Sequence, residues 1–153
     1  MRAIVRILTT ISWSLWFGGI IGLFLSVTTL FRTDRSIAIQ AAPPLFHAFE
    51  KYQLILAAIL LVATFAWRLV KPSRWVIVLF VLIGLAAMAG VGETMLVTPH
   101  IDALRMAGQT HTPEFGKYHG ISMCVYVAEA VALLGAGIVM TLLTPRSGCA
   151  ATQ

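Results

Sequence analysis

Glu93 and Glu129 lie inside long apolar stretches, and that placement constrains this chain more than any other feature. A charged side chain near the bilayer centre costs about 2.5 kcal/mol or more, so a membrane segment that keeps one usually turns it towards a cavity, a partner or a pathway. The apolar runs are approximately residues 4–31, 46–69, 75–97 and 118–143. Each meets the roughly 20 apolar residues that a helix needs to cross a hydrocarbon core. Hydrophobic residues make up 59% of the 153 and charged ones 11%, whereas ordinary soluble domains carry about 25% charged residues. A soluble core of this size has too little interior for that much apolar surface. The runs are also too long for barrel strands, which alternate over about 10 residues. The expectation is an all-α integral membrane four-helix bundle, a single domain over residues 1–153.

The ends of the runs carry physical markers. The first lies between Arg2/Arg6 and Arg32-Thr33-Asp34-Arg35, and the second between Glu50-Lys51 and Arg68/Lys71-Pro72. Trp67 and Trp75 flank the next turn, as aromatic side chains at headgroup level do. The third run is expected to end at Thr98-Pro99-His100, because proline cannot continue a helical hydrogen-bond ladder. The fourth is expected to end at Thr144-Pro145-Arg146. The first run is about twice as long as the apolar region of a cleavable signal, and charges rather than small residues follow it, so it reads as a retained span.

Arg2, Arg6, Arg68, Lys71, Arg74 and Arg146 fall on one side of this arrangement with no carboxylate. Arg32, Arg35, Lys51, Arg105 and Lys117 fall on the other, mixed with Asp34, Glu50, Asp102 and Glu114. Clustering around the short second turn favours both termini in the cytoplasm, and small size without targeting extensions leads to the expectation of a bacterial inner membrane. The net charge of +5 thus addresses lipid rather than nucleic acid, since no basic stripe with interleaved aromatics accompanies it. Cys124 and Cys149 stand apart without a metal-type spacing and read as incidental thiols. Small residues at four-residue spacing, Gly18-Gly22-Ser26 and Ala128-Ala132-Ala136, together with the glycines and alanines of residues 84–92, are expected at helix contacts. Trp13 and Trp16 read as interfacial, with no binding role.

Polar residues concentrate at the non-cytoplasmic ends of the helices. His47 and Glu50 share a helix face, and the expected loop from Thr98 to Lys117 carries His100, Asp102, His111 and Glu114. On the fourth helix, His119, Ser122, Tyr126 and Glu129 fall on one stripe that descends about 15 Å into the span. Facing the third helix and Glu93, that stripe forms a buried polar seam of Ser122, Tyr126 and Glu129. Three accounts follow. His47, Glu50, Glu93, His100 and His119 could ligate a metal cation or relay protons. Imidazoles could hold a haem or a quinone. Otherwise the carboxylates merely fix helix register. Paired His or Cys motifs, Glu-x-x-His and a phosphate loop are all missing, which leaves an enzyme as the least favoured class.

Trp16 and Gly18 on the first helix, the stretch Thr98-Pro99-His100-Ile101-Asp102-Ala103-Leu104-Arg105, and Phe115 followed by His119-Gly120-Ile121-Ser122 resemble the transmembrane-protein-205-like domain of unknown function. The similarity covers most of the chain, and its specific part runs from Glu93 to Ser122. It implies a four-helix membrane protein whose eukaryotic relatives are associated with drug and metal-compound resistance and with vesicle trafficking. It assigns no catalytic residue, and Tyr126 and Glu129 occupy a region where that family often carries Asn. The functional expectation is ion, proton or metal handling through an outward-facing His/Glu site, with the lipid bilayer as surroundings and a homo-oligomer or larger membrane complex as the assembly. The alternatives are an accessory or scaffold subunit of a membrane complex and a haem- or quinone-binding redox protein, the cofactor being undetermined.

Overall fold

The computed structural model describes residues 2–143, which form an all-α four-helix membrane bundle with no strand among them. Arg146 and Cys149 lie outside the described residues, as does the expected end of the fourth span at Thr144-Pro145. Helix α1 covers Arg2–Thr33, α2 Arg35–Val70 and α3 Arg74–Gly92, followed by a π-helical segment Glu93–Val97, α4 Thr98–Met106 and α5 Pro113–Leu143. The helix from Arg74 to Met106 is continuous, so four helices are long and apolar enough to cross a membrane. Their outward side chains, Leu25, Val62, Leu69, Leu96 and Val131 among them, are large, apolar and exposed. Such a surface suits acyl chains, and the closed backbone ladders of helices suit a medium that offers no hydrogen bonds. The chain is an integral membrane protein.

Three expected boundaries move, each for a local reason. Helix α2 begins at Arg35 rather than near residue 46 and runs through Pro43 and Pro44. The prolines withhold N–H donors from the carbonyls of Ile39 and Gln40, and both of those residues are exposed, so the helix continues without a buried orphan. Asp34 supplies the start: it is extended, and its Oδ1 accepts from the N–H groups of Ser36 and Ile37 and from the Ser36 hydroxyl. Those bonds, the Ser36 hydroxyl foremost, hold the Asp34 carboxyl below its ordinary pKa. A single non-helical residue thus joins α1 to α2.

The third span does not stop at Pro99. The ladder widens over Glu93–Val97, where the Thr98 N–H donates to Glu93 O, five residues back. One extra residue in that turn shifts the register ahead of proline, and Pro99 then falls in the first turn of α4, where its missing N–H costs nothing. His100 and Asp102 are accordingly helical, and the expected loop shrinks to residues 107–112. Thr112 starts α5 by accepting from the Phe115 N–H, with Pro113 at the first helical position.

Packing differs from the small-residue expectation. Gly18, Gly22 and Ser26 face outwards, and α1 instead buries Thr9, Ser12, Trp16, Ile20 and Leu23. Ala128 is exposed while Ala136 is fully buried, and on α3 Ala86, Ala87 and Gly90 are buried. Two tryptophans expected at the interface belong to the core, Trp16 wholly and Trp67 nearly so. The Trp13 indole N–H donates to Leu133 O at 2.7 Å, and its ring lies over Gly137.

A Cβ on Gly137 would collide with the Trp13 six-membered ring. In a helix interior Gly→Ala ordinarily stabilises by about 0.5–1 kcal/mol. Overpacking reverses the sign here. Gly137→Ala is expected to lower stability by about 1–3 kcal/mol, read as thermal unfolding in detergent, and the penalty is expected to shrink in a Trp13→Leu background.

Candidate functional site

At the end of the bundle holding Asp34 and residues 107–112, the four helices part around a cavity of about 610 Å³. Phe24, Val27 and Phe31 of α1, Ile39 and Phe46 of α2, and Phe115 and Met123 of α5 form an apolar wall. Glu50, Glu93, Thr98 and Ser122 form a polar patch, with Asp102, Arg105, His47, His111 and His119 nearer the loops. The overlong helices build the cup. Helix α2, at about 1.5 Å per residue, extends roughly 54 Å, well beyond a hydrocarbon core of about 30 Å.

Each floor carboxylate is positioned by a hydroxyl from another element. Thr98 Oγ1 donates to Glu50 Oε1 at 2.5 Å, and Ser122 Oγ donates to Glu93 Oε1 at 2.5 Å. Deeper in the bundle, the Trp16 indole N–H donates to Glu129 Oε1 at 2.7 Å. Glu50, Glu93 and Glu129 are all buried. Beside them Tyr126 is packed among Phe24, Phe46 and Phe49, with ring centroids 5.6–6.3 Å away. Gln53 of α2 is also fully buried. A Cβ on Gly90 would stand 3.1 Å from Gln53 Nε2 and 3.7 Å from Glu129 Oε2, so the bare glycine backbone makes room for both polar groups.

The polar row is incompletely satisfied. Among the described residues, Glu93 Oε2, Glu129 Oε2, the Tyr126 hydroxyl and both polar atoms of the Gln53 amide are buried with no hydrogen-bond partner. Buried polar atoms are usually paired, so a cluster of exceptions on one row singles it out as the candidate site. No lysine or arginine forms an ion pair with Glu50, Glu93 or Glu129 among the described residues.

Of the five residues expected as metal ligands, His47, Glu50, Glu93 and His119 line the cavity and His100 does not. His47 lies with Nε2 3.0 Å from Asp102 Oδ2 and Nδ1 3.6 Å from Glu50 Oε2, so His47 and Glu50 do share a face. Asp102 also accepts from Arg105 at 2.7 Å. His100 stacks on Tyr118, and its Nδ1 donates to Leu96 O at 2.7 Å. His119 stacks on Phe115, exposed at the wall, while Ser122, Tyr126 and Glu129 of the same stripe are buried. Among the described residues no group of three or more His, Cys, Asp or Glu is arranged to hold a metal ion. Cys124 is exposed.

Trp16, expected at the interface, Thr98, expected at a span end, and Gln53 had no expected site role. Trp16 was legible as one position on the α1 face that also carries Thr9, Ser12, Ile20 and Leu23, at the spacing of a helical stripe. Gln53, a polar residue in an otherwise apolar run, carried the same warning as the two glutamates.

Fold and site define a four-helix integral membrane protein with a carboxylate-floored cavity at one end. The chain belongs to the family described as Domain of unknown function (DUF4149), whose model matches residues 11–110. The match includes Trp16, Glu50, Gln53, Glu93 and Thr98 and ends before the α5 residues of the site. Comparison with curated proteins and with solved structures finds no match in either.

The Trp16–Glu129 bond predicts coupling. Trp16→Phe removes the only hydrogen bond that the described residues make to the Glu129 carboxylate and is expected to cost about 1–3 kcal/mol in detergent unfolding. In a Glu129→Leu background the same substitution should cost markedly less, because no buried carboxylate is left to orphan. Equal costs in both backgrounds would show that the bond contributes nothing.

Proposed function

We propose that this protein handles protons or cations through the buried carboxylate row, with the cavity open to the outside of a bacterial inner membrane and both termini in the cytoplasm. One observation carries the proposal: three carboxylates lie buried in a membrane bundle without a lysine or arginine partner. A carboxylate in such surroundings is neutralised either by a proton or by a cation brought to it. Glu50 and Glu93 line the cavity, whereas Glu129 stands behind them beside Gln53 and Trp16. A cation reaches the floor from the cavity, and the deeper members offer successive stations for a proton. Scattered histidines favour the carboxylates over haem as the working groups. A scaffold role would use the row only to fix helix register.

Orientation is tested with single cysteines in a Cys124→Ser, Cys149→Ser background. A thiol at Ser73 is expected to label from the cytoplasm and one at Gln109 from outside, using a membrane-impermeant maleimide on cells and on inverted vesicles. The opposite pattern would place the cavity on the cytoplasmic side.

Proton handling is tested in proteoliposomes containing a pH-sensitive dye. The full chain is expected to dissipate an imposed pH gradient faster than empty vesicles, and Glu93→Gln and Glu129→Gln are each expected to slow it at least tenfold. Detergent unfolding temperatures within a few degrees of the parent would confirm folding. Rates unchanged in both variants would return the carboxylates to a purely architectural role.

A further inference from the structure

We infer that the cavity is a binding site for an amphipathic organic cation: a bulky apolar or aromatic body carrying one delocalised or alkylated positive charge. The inference rests on the carboxylate reading above and adds the substrate class. A bare inorganic ion is best held by a close cage of oxygen ligands. This cavity, about 610 Å³ and walled largely by apolar and aromatic side chains, is instead of the size and character of sites that enclose small organic ligands. No three metal-ligating side chains converge among the described residues.

Charge at the floor selects the sign of the occupant. Glu93 Oε2 is buried, lines the cavity and has no hydrogen-bond partner among the described residues, and Glu50 is buried next to it with only Thr98 and His47 for company. The two arginines of the lining stand apart from these two carboxylates: Arg105 is bonded to Asp102, and Arg35 is exposed at the α1–α2 junction. A cationic head therefore finds negative charge at the bottom, and its body meets the faces and edges of Phe24, Phe31, Phe46 and Phe115. Aromatic faces attract cations as well as apolar groups, which strengthens the same choice.

Helix placement also provides a route. Helices α1 and α5 touch at depth through Trp13–Leu133, Trp16–Glu129 and Phe24–Tyr126. Towards the Asp34 end, Val27 and Phe31 of α1 and Met123 and Phe115 of α5 line the cavity between them. An amphipathic cation concentrated at the membrane interface enters from that end, apolar body among apolar side chains.

The test uses tetraphenylphosphonium and tetraphenylborate, which share shape and apolar surface and differ in the sign of charge. Binding of each to the full chain in detergent is measured by equilibrium dialysis and by titration calorimetry. The expected result is saturable, one-to-one binding of the phosphonium, with at least tenfold weaker binding of the borate and of tetramethylammonium. Glu93→Gln should weaken phosphonium binding at least tenfold, about 1.4 kcal/mol, and Phe31→Ala should weaken it severalfold while leaving the charge in place. Unfolding temperatures identify any variant that fails to fold. Comparable binding of phosphonium and borate, or phosphonium binding indifferent to Glu93→Gln in a folded variant, would overturn the inference by showing apolar adsorption only. So would the absence of phosphonium binding. If the pH-gradient assay still depends on Glu93 in that case, the proton reading survives and the organic cation alone is rejected.

Discussion

Neutralising buried carboxylates that have no lysine or arginine beside them is the constraint on which the interior of this bundle depends. In water an ionised glutamate is stabilised by solvent. In a membrane bundle it needs a donor, a proton or a counter-charge, and among the described residues the side-chain hydrogen bonds to these glutamates come from Thr98 to Glu50, Ser122 to Glu93 and Trp16 to Glu129, with His47 also beside Glu50. Each donor comes from a different helix than its acceptor. The polar contacts therefore also act as the cross-links of the bundle, tying α2 to α4, the end of α3 to α5, and α1 to α5.

That role matters because apolar burial has little power to choose among helix arrangements in lipid, where the outside of the bundle is as apolar as its inside. Close approach and hydrogen bonds decide instead. Trp13 over Gly137, Phe49 against Gly19 and Gln53 against Gly90 are close approaches, and the first and last accompany polar groups that need room. The contact of α1 with α5 at Trp13 and Trp16 gives way beyond Phe24 to the cavity towards Asp34, so the same structure holds the helices together at depth and separates them at one end.

The π-helical turn connects local backbone to site. Glu93 begins the widened segment and accepts the Thr98 N–H at its carbonyl. Thr98, one residue before Pro99, in turn directs its hydroxyl to Glu50. Proline therefore does not end the span. The change of register it follows carries the helix on to Asp102 and Arg105, whose side chains form part of the cavity lining above the floor. Widened turns of this kind recur at functional positions because they re-aim side chains without breaking the helix.

Sequence by itself determined the class, the number of spans and the depth of two carboxylates, because those follow from run length, composition and the cost of charge in hydrocarbon. The stripe Ser122, Tyr126 and Glu129 was legible for the same reason: helical periodicity fixes which residues of one helix share a face. What it left undecided was rotation of one helix against another. Gly18, Gly22 and Ser26 share a face as surely as Trp16, Ile20 and Leu23 do, and only the packed bundle turns the second set inwards. Helix ends were misread where tertiary context outweighed local preference, at Pro43-Pro44 and at Pro99, since proline disfavours a helix only when the lost hydrogen bond has no alternative. Tertiary structure alone joined Trp16 to Glu129 across 113 positions and left His100 outside the cavity that His47, Glu50, Glu93 and His119 line. Partners that meet across helices are set by packing, which no single helix's periodicity records.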